Sequence, residues 1–137
     1  MILLDTHVFI WLIQEEPKLG SKILELLEKA LAEDGLCVSA ITPWEVSMLA
    51  DKQRVKLGRP TAQWITASLG LRGITLVPTD PLTAVDAGEL PGSIHGDPAD
   101  RIIIATARSL GCPIATADRA ILDYAKTGHV AAIDARR

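Results

Sequence analysis

The stretch Met1-Ile2-Leu3-Leu4-Asp5-Thr6-His7-Val8-Phe9-Ile10-Trp11-Leu12 decides the fold. Ile2 to Leu4 is a short apolar run that reads as a buried strand, and it ends on an acid. A second apolar run, Val8 to Ile13, follows at once. An ionised carboxylate inside a buried strand lacks the water, donor or cation it needs. At the C-terminal end of a parallel strand all three are within reach, and in open α/β sheets that edge is where ligands bind. Asp5 is therefore expected at the C-terminal edge of a parallel sheet, as the first of several acids gathered there.

Outward from this stretch, short strands alternate with helices. Ser21 reads as the N-cap of a helix to about Glu33, with Ile23, Leu26, Leu27, Ala30 and Leu31 at helical spacing and Gly35 as its stop. Leu36 to Ser39 is a second strand. Thr42-Pro43-Trp44-Glu45 opens a helix to about Asp51, with Thr42 as cap, Pro43 in the first turn and Glu45 at the acid position of a capping box. Thr61 to Leu69 is a further helix, and Ile74 to Val77 a third strand. Asp80-Pro81 starts a helix that ends near Leu90-Pro91-Gly92. Asp97-Pro98-Ala99-Asp100 opens a helix running to Leu110, apolar on most faces and so expected to be central, with Gly111 as its stop. Pro113 to Thr116 is a fourth strand, Asp118 leads a short helix to Tyr124, and Val130 to Ile133 is a fifth strand. This alternation predicts an α/β fold with a parallel sheet and helices on both faces.

Composition narrows the functional classes. The 137 residues are 48% hydrophobic and 23% charged, an ordinary globular balance. No apolar run approaches the roughly 18 residues of a membrane span, and Asp5 interrupts what would otherwise resemble a leader, so a cytoplasmic location without membrane attachment is expected. The formal charge of −3 argues against a broad basic footprint on duplex DNA. Cys37 and Cys112 have no metal-ligand neighbour at short spacing and read as buried thiols.

Four acids occupy equivalent places in this scheme. Asp5 ends strand one, Glu45 lies in the first turn after strand two, Asp100 in the first turn of the helix before strand four, and Asp118 just past strand four. All four can meet at one sheet edge. Carboxylates so crowded repel, and some would keep their protons without a counter-charge. A hard divalent cation resolves the conflict, and oxygen ligands suit Mg²⁺ or Mn²⁺ rather than zinc. Such ions serve metal-dependent phosphodiester hydrolysis. Taken singly, each acid also has a plainer use: Glu45 in a capping box, Asp100 at a helix N-terminus, Asp118 as an N-cap.

The ordered set Ile2-Leu3-Leu4-Asp5-Thr6-His7, Trp44-Glu45-Val46, His95-Gly96-Asp97-Pro98-Ala99-Asp100-Arg101 and Ala115-Thr116-Ala117-Asp118 resembles the PIN-domain family, and within it the VapC-type toxins of toxin–antitoxin modules. The resemblance covers essentially the whole chain. It implies a three-layer sandwich whose parallel sheet of four to five strands has the order 3-2-1-4-5, formed by residues 1–137 as a single domain. It implies an endoribonuclease dependent on Mg²⁺ or Mn²⁺, held inactive by a cognate VapB-like antitoxin, and a homodimer. By resemblance the metal ligands are Asp5, Glu45, Asp100 and Asp118. Thr6 and Thr116 support them, and Asp97 is a helix cap, a neighbour of the ligands or a further ligand. Arg101 matches a feature of this branch without a defined role. Two positions depart from the pattern: Leu49 stands where many relatives carry Lys, and Ala99 where Phe is common.

Other residues remain open at this level. His7 and His95 can face the site or only solvent. Trp11, Trp44 and Trp64 can stack on bases, although their apolar helical surroundings suit packing in the core or in a dimer better. Lys52, Arg54, Lys56 and Arg59 form the one local basic cluster, fit for RNA phosphates or for a solvated loop. Two rival classes are a phosphatase or phosphotransferase using Asp5 as nucleophile, and a non-catalytic binding module of the same fold. The first usually carries a second Asp two residues on, where this chain has His7; the second would lack one of the acids, and none is missing.

Overall fold

The computed structural model describes residues 1–137. Its sheet has five strands: β1 (Ile2–Leu4), β2 (Leu36–Ser39), β3 (Ile74–Val77), β4 (Ile114–Thr116) and β5 (Ala132–Asp134). Their order is β3-β2-β1-β4-β5, and every neighbouring pair is parallel. β1 is therefore central, and all three of its residues are buried. The expected α/β architecture and strand order are observed.

Side chains alternate across the sheet as the two-residue period of a strand requires. Ile2, Leu4, Leu36, Val38 and Ala115 pack on one face with α1 (Thr6–Ile13), α2 (Ser21–Ala32), α3 (Thr42–Asp51) and α4 (Thr61–Leu69). Phe9 and Trp64 meet edge to face there, with ring centroids 5.6 Å apart. Leu3, Cys37 and Ile114 point to the other face, against α6 (Pro98–Leu110) and α7 (Arg119–Ala125), with α5 (Pro81–Gly88) packed outside α6. The apolar run of α6 is central: Ile103, Ile104 and Ala105 have no exposed surface. Gly111 ends it in the left-handed region at φ 66°, where the absence of a Cβ removes the steric cost. Both cysteines are buried thiols.

Three local expectations are corrected. Gly20, not Ser21, is the N-cap of α2. Its N–H donates to the Ala135 carbonyl at 3.0 Å, and a Cβ at that position would overlap the Arg137 backbone, so the docked C-terminal residues fix where the helix starts. Thr42 does not cap α3; Ile41 precedes the helix in a helical conformation. The Thr42 hydroxyl is buried instead against that of Thr6, 3.0 Å away, so the capping box with Glu45 does not form. β5 covers Ala132–Asp134 rather than Val130–Ile133, because pairing with β4 sets Ile114 opposite Ala132 and leaves Val130 as a core residue before the strand. Trp64 is buried in the core, whereas Trp44 is 53% exposed and belongs to neither core cluster.

Candidate metal centre

The C-terminal edge of the sheet is where the acids stand, because each follows a strand or opens a helix that returns from that edge. Asp5 ends β1 and caps α1. Its Oδ1 accepts from the Thr6 N–H at 2.7 Å, and its Oδ2 accepts from the Thr116 hydroxyl at 2.6 Å. Its own N–H donates to the Ala115 carbonyl at 3.0 Å, which ties the acid to β4. The Thr116 oxygen in turn accepts from the Asp118 N–H at 3.0 Å. One hydroxyl thus fixes two acids that lie far apart in the chain.

Asp118 caps α7 with Oδ1, which accepts from Ala120 N–H at 2.8 Å and Ile121 N–H at 3.2 Å. Its second oxygen makes no hydrogen bond within the chain. Asp97 caps α6, accepting from the Asp100 N–H at 3.1 Å. Asp100 is buried at that helix start, and its Oδ2 lies 3.3 Å from His95 Nε2. His95 Nδ1 accepts from the Asp97 N–H at 3.2 Å, which leaves Nε2 facing Asp100. His95, Asp100 and Asp118 each present a ligand atom within 4.8 Å of the others. Glu45 approaches from α3, and its Oε1 is buried without any hydrogen-bond partner.

The electrostatics register the crowding. Burial first, and then the charges of Asp5, Asp97, Asp118 and Glu45, together push the Asp100 carboxyl up to about 8. Asp100 is therefore close enough to feel each of the other four acids. Burial also raises Asp5, against the pull of its hydrogen bond from Thr116, of His7 and of its bond from Thr6. Glu45 is raised by burial as well; the nearby Thr6 hydroxyl opposes this and Asp5 adds to it. Buried carboxyls held above their usual range, one with an orphaned oxygen, cluster with no lysine or arginine paired to them. The donor set, carboxylate oxygens with one imidazole beside them, fits a divalent cation.

Of the expected ligands, Asp100 and Asp118 come within 4.8 Å of each other, with His95 as the third group. Asp5 joins Asp118 through Thr116 and a shared cavity, while Asp5, Glu45 and Asp97 are near enough for their charges to act on Asp100. Arg101 touches no acid. Its guanidinium donates to the carbonyls of Ala87 at 2.8 Å, Gly88 at 3.3 Å, and Ile94 and His95 at 3.4 Å, so it pins the loop that carries His95. His95, exposed as a loop histidine usually is, nevertheless reaches Asp100; its place two residues before Asp97 is the only signal for this in the sequence. Arg136 was not legible at all. It lines one cavity with Asp5 and Asp118, and only the docking of the C-terminus puts it there.

A five-stranded parallel sheet with a cluster of acids at its C-terminal edge defines a doubly wound α/β protein. The chain belongs to the PIN domain family, which it matches over residues 2–127. It is 36% identical over 124 residues to ribonuclease VapC22 of Mycobacterium tuberculosis, covering 90% of this chain and 91% of that protein. The crystal structure of FitAcB from Neisseria gonorrhoeae shares the fold with a TM-score of 0.65 at 24% identity, over 98% of this chain and 97% of that one. DNA-bound VapBC from Salmonella typhimurium does so with a TM-score of 0.66 at 19% identity, over 97% and 96% of the two chains.

Proposed function

We propose that this chain is a VapC-type endoribonuclease, the toxin of a type II toxin–antitoxin pair, which hydrolyses RNA phosphodiester bonds with Mg²⁺ or Mn²⁺. The family membership and the ribonuclease relative support the reaction class. The observation that carries the cation requirement is the buried, unpartnered Glu45 Oε1 among carboxyls raised by burial and by one another.

Asp5, Glu45, Asp100 and Asp118 would hold the ion. When bound, it neutralises charge on the phosphodiester and activates water. The chain's own contribution is preorganisation. Thr116 locks Asp5 and Asp118 into one unit, the α7 cap leaves one Asp118 oxygen free, and Asp97 fixes the helix start that aims Asp100. Thr6 supports Asp5 through its N–H. Asp5 as a phosphoryl acceptor has little support, because its carboxyl is buried and both oxygens already accept hydrogen bonds.

The partners in this reading are RNA as substrate, a VapB-like antitoxin as inhibitor and a second copy in a homodimer. The VapBC complexes among the structural neighbours support the second of these. Residues 1–137 act as a single domain in the cytoplasm; no helix is long and apolar enough to cross a membrane. The test is cleavage of single-stranded RNA by purified, antitoxin-free protein. Cleavage is expected with Mg²⁺ or Mn²⁺, to stop with EDTA, and to vanish in Asp5→Asn with unchanged circular dichroism. Full cleavage by Asp5→Asn overturns the mechanism.

A further inference from the structure

Asp5 and Asp118 line a cavity of about 220 Å³ together with His7, Trp11 and Arg136. His7 and Trp11 also line a second cavity, of about 370 Å³, together with Lys18, Arg54 and Lys56. His7 and Trp11 are four residues apart on α1 and so lie on one helix face. The two cavities adjoin at His7 and Trp11, the residues that line both, so the surface leads from Asp5 and Asp118 across that face to the turn after α3.

Charge and shape change along it in a definite order. At one end are the acids, with Arg136 beside them. In the middle is the half-buried Trp11 indole, its ring 6.3 Å from that of His7. Beyond it stand three cations, with Glu16 as the one carboxylate of the second cavity. Lys18 Nζ lies 5.6 Å from the Trp11 ring centroid, within cation–π reach. The basic turn is anchored: Gln14 Nε2 donates to the Lys56 carbonyl at 2.8 Å, and Val55 packs into the core. Lys18, Arg54, Lys56 and Arg136 have no carboxylate partner within the chain, so folding does not account for their clustering.

We infer that this depression is the track of a single-stranded RNA entering the acid cage. Trp11 stacks a nucleobase, Lys18, Arg54 and Lys56 take the phosphates on one side of it, and Arg136 takes the phosphate next to the acids. A single strand offers alternating base faces and phosphates, which is the pattern an indole flanked by cations recognises. A paired duplex keeps its base faces stacked inside and cannot use the indole. Lys52 and Arg59, neighbours in sequence, do not line the track. The inference rests on the hydrolase reading above and adds to it the path of the substrate.

The test measures anisotropy of a short labelled single-stranded oligoribonucleotide in EDTA, and kcat and KM for its cleavage with Mg²⁺ or Mn²⁺. The double variant Arg54→Gln/Lys56→Gln is expected to raise Kd and KM about tenfold near 0.1 M salt and leave kcat within about twofold. Its log–log salt slope should shrink by about 1.4, roughly 0.7 for each phosphate of a single strand that is no longer neutralised. Trp11→Ala should raise Kd at least about fivefold, and Trp11→Phe should recover most of it, since any aromatic face stacks. Arg72→Gln/Lys126→Gln removes the same charge far from the track and should change nothing. Variants that bind and cleave like this control overturn the track while the hydrolase reading stands. Loss of binding in the track variants, in a protein that cuts nothing with either metal, keeps the track and refutes the hydrolase reading. Competition by polyglutamate as strong as by unlabelled RNA would give the depression to an acidic peptide and overturn the assignment to RNA.

Discussion

The Thr116 hydroxyl donates to Asp5 Oδ2 at 2.6 Å, across 111 positions of sequence, and accepts from the Asp118 N–H on its other side. This one oxygen couples the end of the central strand to the end of its neighbour. Thr116→Val keeps the shape and removes both bonds. The Asp5 carboxyl then loses its donor in a buried place, so a stability loss of about 1–3 kcal/mol is expected from urea unfolding. Cleavage should fall about tenfold or more, as when a group supporting a metal ligand is removed. Thr116→Ser, which retains the hydroxyl, should restore most of both.

Asp100 makes the metal-free protein sensitive to pH in a specified direction. In the unfolded chain its carboxyl gives up the proton near 3.8; in the folded chain it holds the proton to about 8. Between these values the folded state binds more protons, so stability falls as pH rises from about 4 to about 8. The raised Asp5 and Glu45 act with the same sign. Urea midpoints measured in EDTA across this window should decline with pH, and Asp100→Asn should flatten the decline and be the more stable protein at its upper end.

Glu45 offers a test of the cation site that needs no substrate. Adding Mg²⁺ or Mn²⁺ to EDTA-stripped protein should raise the thermal midpoint, with about 2.7 kcal/mol of stabilisation at a hundredfold excess over Kd. Glu45→Gln keeps the size of the side chain but removes the charge beside the orphaned oxygen. The metal-induced rise should shrink by half or more, while the midpoint in EDTA stays the same or increases.

Arg101 acts on the loop rather than on the acids. It donates to four backbone carbonyls, and the Tyr124 hydroxyl holds the Pro91 carbonyl at 2.6 Å from the other side. Arg101→Gln should cost about 2 kcal/mol, in the range for hydrogen bonds from a charged donor. Hydrogen exchange should quicken in residues 88–96. Cleavage should weaken because His95 loses its fixed distance to Asp100.

Gly20 controls the C-terminus by leaving room for it. A Cβ there would overlap the Arg137 backbone, and the Gly20 and Lys22 N–H groups bond Ala135 and Arg137 carbonyls at 3.0 and 2.9 Å. Gly20→Ala should loosen residues 134–137, measured as faster exchange or earlier carboxypeptidase trimming. If Arg136 holds a phosphate, KM for RNA should rise in the same variant.

The sequence by itself determined the layers and the edge. Alternating apolar runs fix which residues face the two sides of the sheet, and an acid directly after Leu4 is tolerable only where a buried strand meets solvent or a cation. Helix-opening motifs likewise put Glu45, Asp100 and Asp118 at the same edge. What only the tertiary structure decided is which of several local uses each polar group takes. Thr42 abandons a cap for the Thr6 hydroxyl, Arg101 chooses carbonyls over acids, and Arg136 reaches the cage because the chain end docks on Gly20. The reason is range: a helix period or a cap is set by neighbours a few residues away, whereas a hydrogen bond spanning the fold depends on a backbone path that local pattern does not encode.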